Sequence, residues 1–358
     1  MAHRLLSSRT IPTARRALSS QSIVFDRELK RKQREWANSL PNADEYDYLR
    51  VEVAQRLVDR LDDVQREFPS MLDVGCHGGD MYAAVTSQDG LSGKGGVGGV
   101  EQVIQGDSVE AAARRAEANA AKLGAAASSR ASCHTLMFDE ETLPFRDGTF
   151  DLVTSNLSLH WVNDLPRALS EIRRVLKPDG CFLGAMFGGR TLTELREALL
   201  LAETEREGGV SPHISPMAGP SDMGSLLSAA GFSIPTLDLD TIVCNFEDPF
   251  VLMEELQGMG EQNAAVGRRG VNGTPPTSLE TFLAAAAAYQ YRASLASTNG
   301  EGSSVNELEV ASSVPASFQV IYMIGWAPHS SQQKADKRGT ATRKLTEISV
   351  THSKPPTK

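Results

Sequence analysis

Leu72-Asp73-Val74-Gly75-Cys76-His77-Gly78-Gly79-Asp80 joins a short apolar run to clustered glycines, the pattern of a strand that turns tightly into a helix. Such a turn lets backbone approach a small polar ligand closely. Thirty-two residues beyond Gly75, Asp107 follows the segment Val100 to Gly106 and precedes a long helix of alanines and arginines. A carboxylate there can face vicinal ribose hydroxyls and accept two hydrogen bonds at once, so the pair points to a nucleoside-type cofactor. The usual spacing is roughly 20 residues; the excess coincides with GLSGKGGVGG at 90–99, whose six glycines in ten positions read as an inserted flexible loop. The structural alternatives are a plain turn for the glycines and a helix N-cap for Asp107.

Outward from this turn, candidate strands alternate with helices: Met71 to Val74, Val100 to Gln105, Ser132 to Phe138, Phe150 to Ser155 and Gly180 to Phe187. That alternation predicts a parallel sheet covered on both faces. Before it, residues 26–70 carry Tyr46, Leu49, Val53, Leu57, Val58 and Leu61 at helical spacing, an amphipathic lead-in. A helix is expected at Asp164 to Leu176, with Leu165, Ala168, Leu169, Ile172 and Val175 on its apolar face, and Lys177-Pro178-Asp179-Gly180 ends it. Further on, helices are expected from Thr191 to about Arg206, around Leu226, at Phe250 to Leu256 and at Leu279 to Tyr291, with strands at Thr236 to Phe246 and Ser317 to Trp326. Residues 296–307 read as a linker and 328–358 as a polar tail.

In an open parallel sheet the ligand sits beyond the carboxyl ends of the strands. The candidate cofactor-binding residues are therefore Asp73, Gly75, Gly79, Asp107, Asp139 and Ser155, with Phe138 and Asn156 beside them. Asp139 follows an aromatic residue, which suits an amino-bearing base that stacks and is bonded through its edge. His160, in Leu157-Ser-Leu-His-Trp-Val-Asn-Asp164, and His213, between Pro212 and Pro216, are the candidate catalytic side chains. Packing and capping roles for Trp161 and Asp164 are the plainer alternative. The histidines show no HxD or HExxH spacing, and no metal site is expected.

The 358 residues carry a formal charge of −9 with no long basic patch after residue 35, which argues against nucleic acid as a partner. The first 25 residues differ: Arg4, Arg9, Arg15 and Arg16 stand among serines, and the first acid is Asp26. This start resembles a mitochondrial transit peptide. No segment reaches the ~18 uninterrupted apolar residues of a membrane-spanning helix, so any membrane contact is expected to be peripheral. Cys76, Cys133, Cys181 and Cys244 form no CxxC pair and read as reduced thiols.

Taken in order, Asp73-Val-Gly-Cys-His-Gly-Gly79, Asp107, Asp139 with Leu143-Pro-Phe145, Phe150-Asp-Leu-Val153 and Leu176-Lys-Pro-Asp-Gly180 resemble the class I S-adenosylmethionine-dependent methyltransferases. The resemblance implies a Rossmann-like α/β fold, a seven-stranded and mainly parallel sheet. The strand at Ser317 to Trp326 would insert antiparallel beside the fifth. Length alone allows two domains, whereas the resemblance makes the second half (191–327) part of the same fold as the cofactor-binding core (71–190). It also implies S-adenosylmethionine as cofactor. His77 stands where those enzymes commonly carry glycine, which would hold the cofactor's amino-acid moiety further from the backbone.

A narrower resemblance rests on Leu157-Ser-Leu-His-Trp-Val-Asn-Asp-Leu-Pro166, Gly184-Ala-Met-Phe-Gly-Gly189, Leu201-Ala-Glu-Thr-Glu-Arg-Glu-Gly-Gly209, Ser211-Pro-His-Ile-Ser-Pro216, Glu255-Leu-Gln-Gly-Met-Gly260 and Tyr322-Met-Ile-Gly-Trp326. These strings are similar to the mitochondrial complex I assembly factors of the arginine-hydroxylase type. That resemblance implies a matrix protein, peripheral to the inner membrane, that hydroxylates an arginine on an iron-sulfur subunit of the complex I peripheral arm alongside other assembly factors. Hydroxylation of an unactivated carbon calls for an oxygen-activating centre, and the sequence carries no motif for one. The competing readings are a conventional methyltransferase acting on a protein or small-molecule acceptor, and a non-catalytic assembly chaperone.

Overall fold

The computed structural model describes residues 23–87, 95–125, 131–271, 274–298 and 313–333. The transit-like start through residue 22, the first half of the expected glycine-rich loop (90–94), most of the expected linker and the tail from 334 lie outside them; the second half of that loop is ordered, with a short 3-10 turn at Val97–Gly99 that buries Val97 in the core. Seven strands make one sheet: β1 (Ser70–Val74), β2 (Gln102–Asp107), β3 (Ser132–Met137), β4 (Phe150–Asn156), β5 (Leu176–Phe187), β6 (Ser233–Phe246) and β7 (Val314–Trp326), in the order β3-β2-β1-β4-β5-β7-β6. The first five pair in parallel, and β7 runs antiparallel between β5 and β6. The expected insertion of the last strand beside the fifth is therefore observed. The order reverses between β1 and β2 on one side and β4 on the other, the switch point where such sheets form a crevice.

Local chemistry sets the helices. In α1 (Arg27–Asn38) the Asp26 carboxylate accepts from the Leu29 amide. In α5 (Leu165–Val175) the Asp164 carboxylate accepts from Arg167, and Ala168, Leu169, Ile172 and Val175 form the buried stripe. The Asp248 carboxylate does the same for α8 (Pro249–Gly258). The remaining helices are α2 (Tyr48–Asp62), α3 (Asp80–Thr86), α4 (Glu110–Ala125), α6 (Thr193–Arg206), α7 (Pro220–Ala229) and α9 (Leu279–Thr298). The core lies in two layers. Leu57, Val85, Val103 and Leu199 belong to the larger one, and Leu72, Val153, Ile172 and Phe182 to the other.

Several boundaries differ from the expectation: β7 begins at Val314 rather than Ser317, and α9 runs on to Thr298, into the expected linker. β2 reaches Asp107, two residues further than its apolar run, because its end pairs with Met137 and is buried. β5 begins at Leu176, ahead of its proline turn, and absorbs that turn as an irregularity opposite Phe150 and Leu152, with Asp179 at φ +64. β6 begins at Ser233 and carries a similar irregularity before Thr236. On this edge strand, Asp238 and Asp240 pair with Arg60 and Arg56 of α2.

Candidate cofactor cleft and substrate cavity

At the switch point the chain leaves β1 through Gly75 at φ +75 and enters α3 from Gly79 at φ +89, left-handed conformations that favour glycine. Two residues without that freedom, His77 and Leu157, also stand at φ +48. They meet: the His77 ring reaches the Leu157 carbonyl at 3.2 Å. Strained backbone on both sides of a crevice is a mark of a functional region. The carbonyl only accepts, and the Arg34 guanidinium, 3.1 Å from Nδ1, only donates. His77 is therefore the neutral Nε2–H tautomer, and burial followed by the nearby Arg50 and Arg34 holds its pKa well below the usual histidine value.

The Asp107 carboxylate is fully buried and saturated. One oxygen accepts from the Val109 amide at 2.9 Å; the other accepts from the His77 amide at 3.2 Å and from Arg34 at 2.6 Å. Arg34 also lies 3.5 Å from Glu140, and Arg27 bonds Asp139 and Glu140 at 2.9 and 2.8 Å. Burial opposes the charge on Arg34, but Asp107 and Glu140 outweigh it and raise its pKa. Burial also drives Asp73 and Asp80 up to about 7. Asp73 accepts from the Thr154 hydroxyl through one oxygen, and its other oxygen is buried without a partner.

With α1 in place the cleft does not admit S-adenosylmethionine, because Arg34 already occupies the Asp107 carboxylate that a ribose would use. The space left among Arg27, Arg34, Ser108, Glu140 and Ser158 is about 20 Å³, room for roughly one water molecule.

A second space lies on the far side of Trp161. It measures about 540 Å³ and is walled by Leu195, Leu199, Leu256 and Phe282, with His213, Glu254, Gln257, Glu261 and Asn263 supplying polar groups. Two stretches of the narrower resemblance, Ser211–Pro216 and Glu255–Gly260, converge here. The Glu261 carboxylate accepts from the Trp161 indole at 2.7 Å and lies 3.1 Å from the His160 ring and 3.3 Å from Arg50. Burial opposes its charge, but His160, Lys30 and Arg50 hold its pKa far below the usual carboxylate range. Lys30 donates to the Gly260 and Gln262 carbonyls and sits 3.4 Å over the Trp161 ring. Burial, partly offset by Glu261, lowers its pKa to about 7. His213 is 2.9 Å from Glu203, a buried carboxylate that also holds the Ser211 amide and Arg269.

The sequence-derived positions thus separate. Asp73, Gly75, Gly79 and Asp107 gather at the cleft. Asp139 is half exposed and turned toward Arg27, while its neighbour Glu140 is the buried acid. The Ser155 hydroxyl donates to the Val74 carbonyl within the sheet. His213 lines the cavity; His160 stands behind Glu261. Sequence reasoning missed Arg27, Lys30, Arg34, Arg50, Glu140 and Glu261. A signal existed for three of them, since Arg27, Lys30 and Arg34 follow the i, i+3, i+7 spacing of one helix face. All four cysteines are free, and among the described residues no helix is long and apolar enough to cross a membrane.

Residues 72–184 match the family model of a methyltransferase domain. Among solved structures the chain is similar to the YcgJ protein of Bacillus subtilis, with a TM-score of 0.50 at 17% identity, covering 77% of this chain and 98% of that one. Fold and glycine turn together define the class I S-adenosylmethionine-dependent methyltransferase superfamily. Among curated proteins, the chain is 44% identical over 327 residues to "Arginine-hydroxylase NDUFAF5, mitochondrial" of Homo sapiens, covering 91% of this chain and 83% of that protein. It is 38% identical over 339 residues to the protein of the same name from Dictyostelium discoideum, covering 93% and 72%. A malonyl-[acyl-carrier protein] O-methyltransferase of Methylovorus sp. (strain MP688) is 31% identical over 283 residues, covering 79% and 83%. The chain belongs to the NDUFAF5 arginine-hydroxylase family, within that superfamily of enzymes.

Proposed function

We propose that the chain is a mitochondrial enzyme that hydroxylates an arginine on an iron-sulfur subunit of respiratory complex I during early assembly, working in the matrix at the inner-membrane face. The observation that carries this reading is the convergence of Ser211–Pro216 and Glu255–Gly260 on one cavity of about 540 Å³. An arginine side chain suits that lining: apolar walls for its methylenes, carboxylate and amide oxygens for its guanidinium. The curated relatives named as arginine hydroxylases support the same substrate class. Replacing C–H by C–OH consumes dioxygen and two electrons and releases water, so an oxygen-activating group must reach the bound arginine. The chain's own residues would seat the side chain and exclude bulk water. The Trp161 and Glu261 wall would keep that space apart from the cleft.

The test is mass spectrometry of complex I iron-sulfur subunits from mitochondria with and without the chain. One added oxygen on an arginine, lost when the chain is deleted, supports the reading; the same modification surviving deletion sinks it. A methyl mass in its place would favour conventional methyl transfer, with S-adenosylmethionine consumed as the methyl donor. The filled cleft favours a second reading, an assembly scaffold without turnover. In that case deletion blocks assembly while no subunit changes mass.

A further inference from the structure

The cleft is filled by one helix, and the character of that helix's inner face explains how it can be held there and still come away. Its three buried residues are Lys30, Arg34 and Ala37, two basic side chains and one methyl group. Little apolar surface therefore binds α1 to the sheet. What holds it instead are charge-assisted bonds: Arg34 to Asp107 at 2.6 Å, Arg27 to Glu140 at 2.8 Å, and Lys30 to the Gly260 carbonyl at 3.0 Å. Buried pairs of this kind add little net stability, because desolvation of both charges offsets their attraction. They are nonetheless demanding, since each partner left alone must find another. A ligand that offers hydrogen-bond donors to Asp107 can take the guanidinium's place once Arg34 returns to water.

Arg34 takes the hydrogen-bonding place that a ribose diol would take, because it donates to the carboxylate that ends β2, on the same oxygen that accepts from the His77 amide, and meets the His77 ring at 3.1 Å. We propose that α1 is a latch on the nucleoside cleft: Arg34 stands in for the ribose, and an adenine nucleoside such as S-adenosylmethionine binds only when α1 withdraws from the strand ends. Binding is then coupled to exposure of Arg27–Asn38, whichever reaction the protein performs. The apparent affinity is reduced by the fraction of molecules in the unlatched state. Weakening the latch raises that fraction.

The experiment is calorimetric titration of the full chain with S-adenosylmethionine, paired with hydrogen exchange of the α1 amides. Arg34→Gln should bind at least about tenfold more tightly than the native chain, and ligand should accelerate exchange across Arg27–Asn38. Because Arg34→Gln leaves two buried carboxylates short of a partner, a second variant keeps every charge. A Cβ placed at Gly260 lies 3.5 Å from that of Ala37, within the ~3.5–4.5 Å a disulfide spans. Gly260 stands at φ +73, so the reduced pair itself is the reference: Ala37→Cys with Gly260→Cys should lose binding when oxidised and regain it when reduced. Three results would overturn the latch: saturable native binding with α1 exchange unchanged, equal binding by the oxidised and reduced pair, or no binding by the native chain and Arg34→Gln alike.

Discussion

Trp161 stands between two spaces of opposite character. On the cleft side, charged groups from α1 and the strand ends meet so closely that about 20 Å³ remains. On the other side, leucines, methionines and phenylalanines of α6, α8 and α9 leave about 540 Å³ open. The difference follows from what each kind of side chain can do. Carboxylates and guanidinium groups buried together must find one another, because an unpaired buried charge is costly, so a charged crevice closes on itself when the chain supplies both signs. Apolar walls have no such obligation, and an open cavity between them persists until a ligand of the right shape enters. One space is therefore gated by electrostatics and the other by fit.

The largest effect that would break this comparison is expected at Asp107. Its replacement by Ala leaves Arg34 buried without its closest partner and should cost about 3–5 kcal/mol in urea unfolding. A loss below about 1 kcal/mol would mean that the pair is exposed to water and the cleft is not charge-locked.

Next comes pH. In the folded chain Asp73 and Asp80 titrate near 7 against an ordinary value of 3.8. Between those values the native state holds protons the unfolded chain has lost, so their contribution to stability falls as pH rises toward neutrality. Lys30 also titrates at about 7, against 10.5 when free. There the unfolded chain holds the extra proton, so stability gains from Lys30 as pH rises above neutrality. Each group contributes a slope of about 1.4 kcal/mol per pH unit inside its window. Asp73→Asn should flatten the acid side of the stability profile and Lys30→Met the alkaline side. Unchanged slopes in both would show that neither pKa is shifted by burial.

Smaller effects sharpen the cavity side. Met253→Trp places a larger ring in the open space and should weaken binding of an arginine-bearing peptide about tenfold, near 1.4 kcal/mol, with little change in melting temperature. Undiminished peptide binding would move the substrate elsewhere. The smallest change is expected for His213→Ala, which removes one of several partners of Glu203 and should cost about 1 kcal/mol. A larger loss would make the 211–216 loop a structural strut of the fold.

Much of this was legible along the chain. The apolar runs, the glycine turn and the capping aspartates are local signals, and they identified six of the strands to within two or three residues. β5 was the exception, because a proline turn reads as a helix stop while the backbone around it can still pair as a bulged strand. The site was legible only in part. Asp107 announced itself by its place after a strand, but Asp139 was read as the inward acid where Glu140 is. Adjacent residues leaving a strand point to opposite sides, and nothing short-range says which is buried.

The strands themselves and the carboxylates at their ends thus follow from periodicity and turn chemistry, and the antiparallel insertion of β7 from the resemblance, all properties of short stretches. The filling of the cleft does not. Arg34 and Asp107 are separated by 73 residues, and no periodicity links a cation on a leading helix to one particular acid among many. That choice, like the meeting of the 211–216 and 255–260 segments, was made by tertiary packing, where the cost of an unpaired buried charge selects the partner.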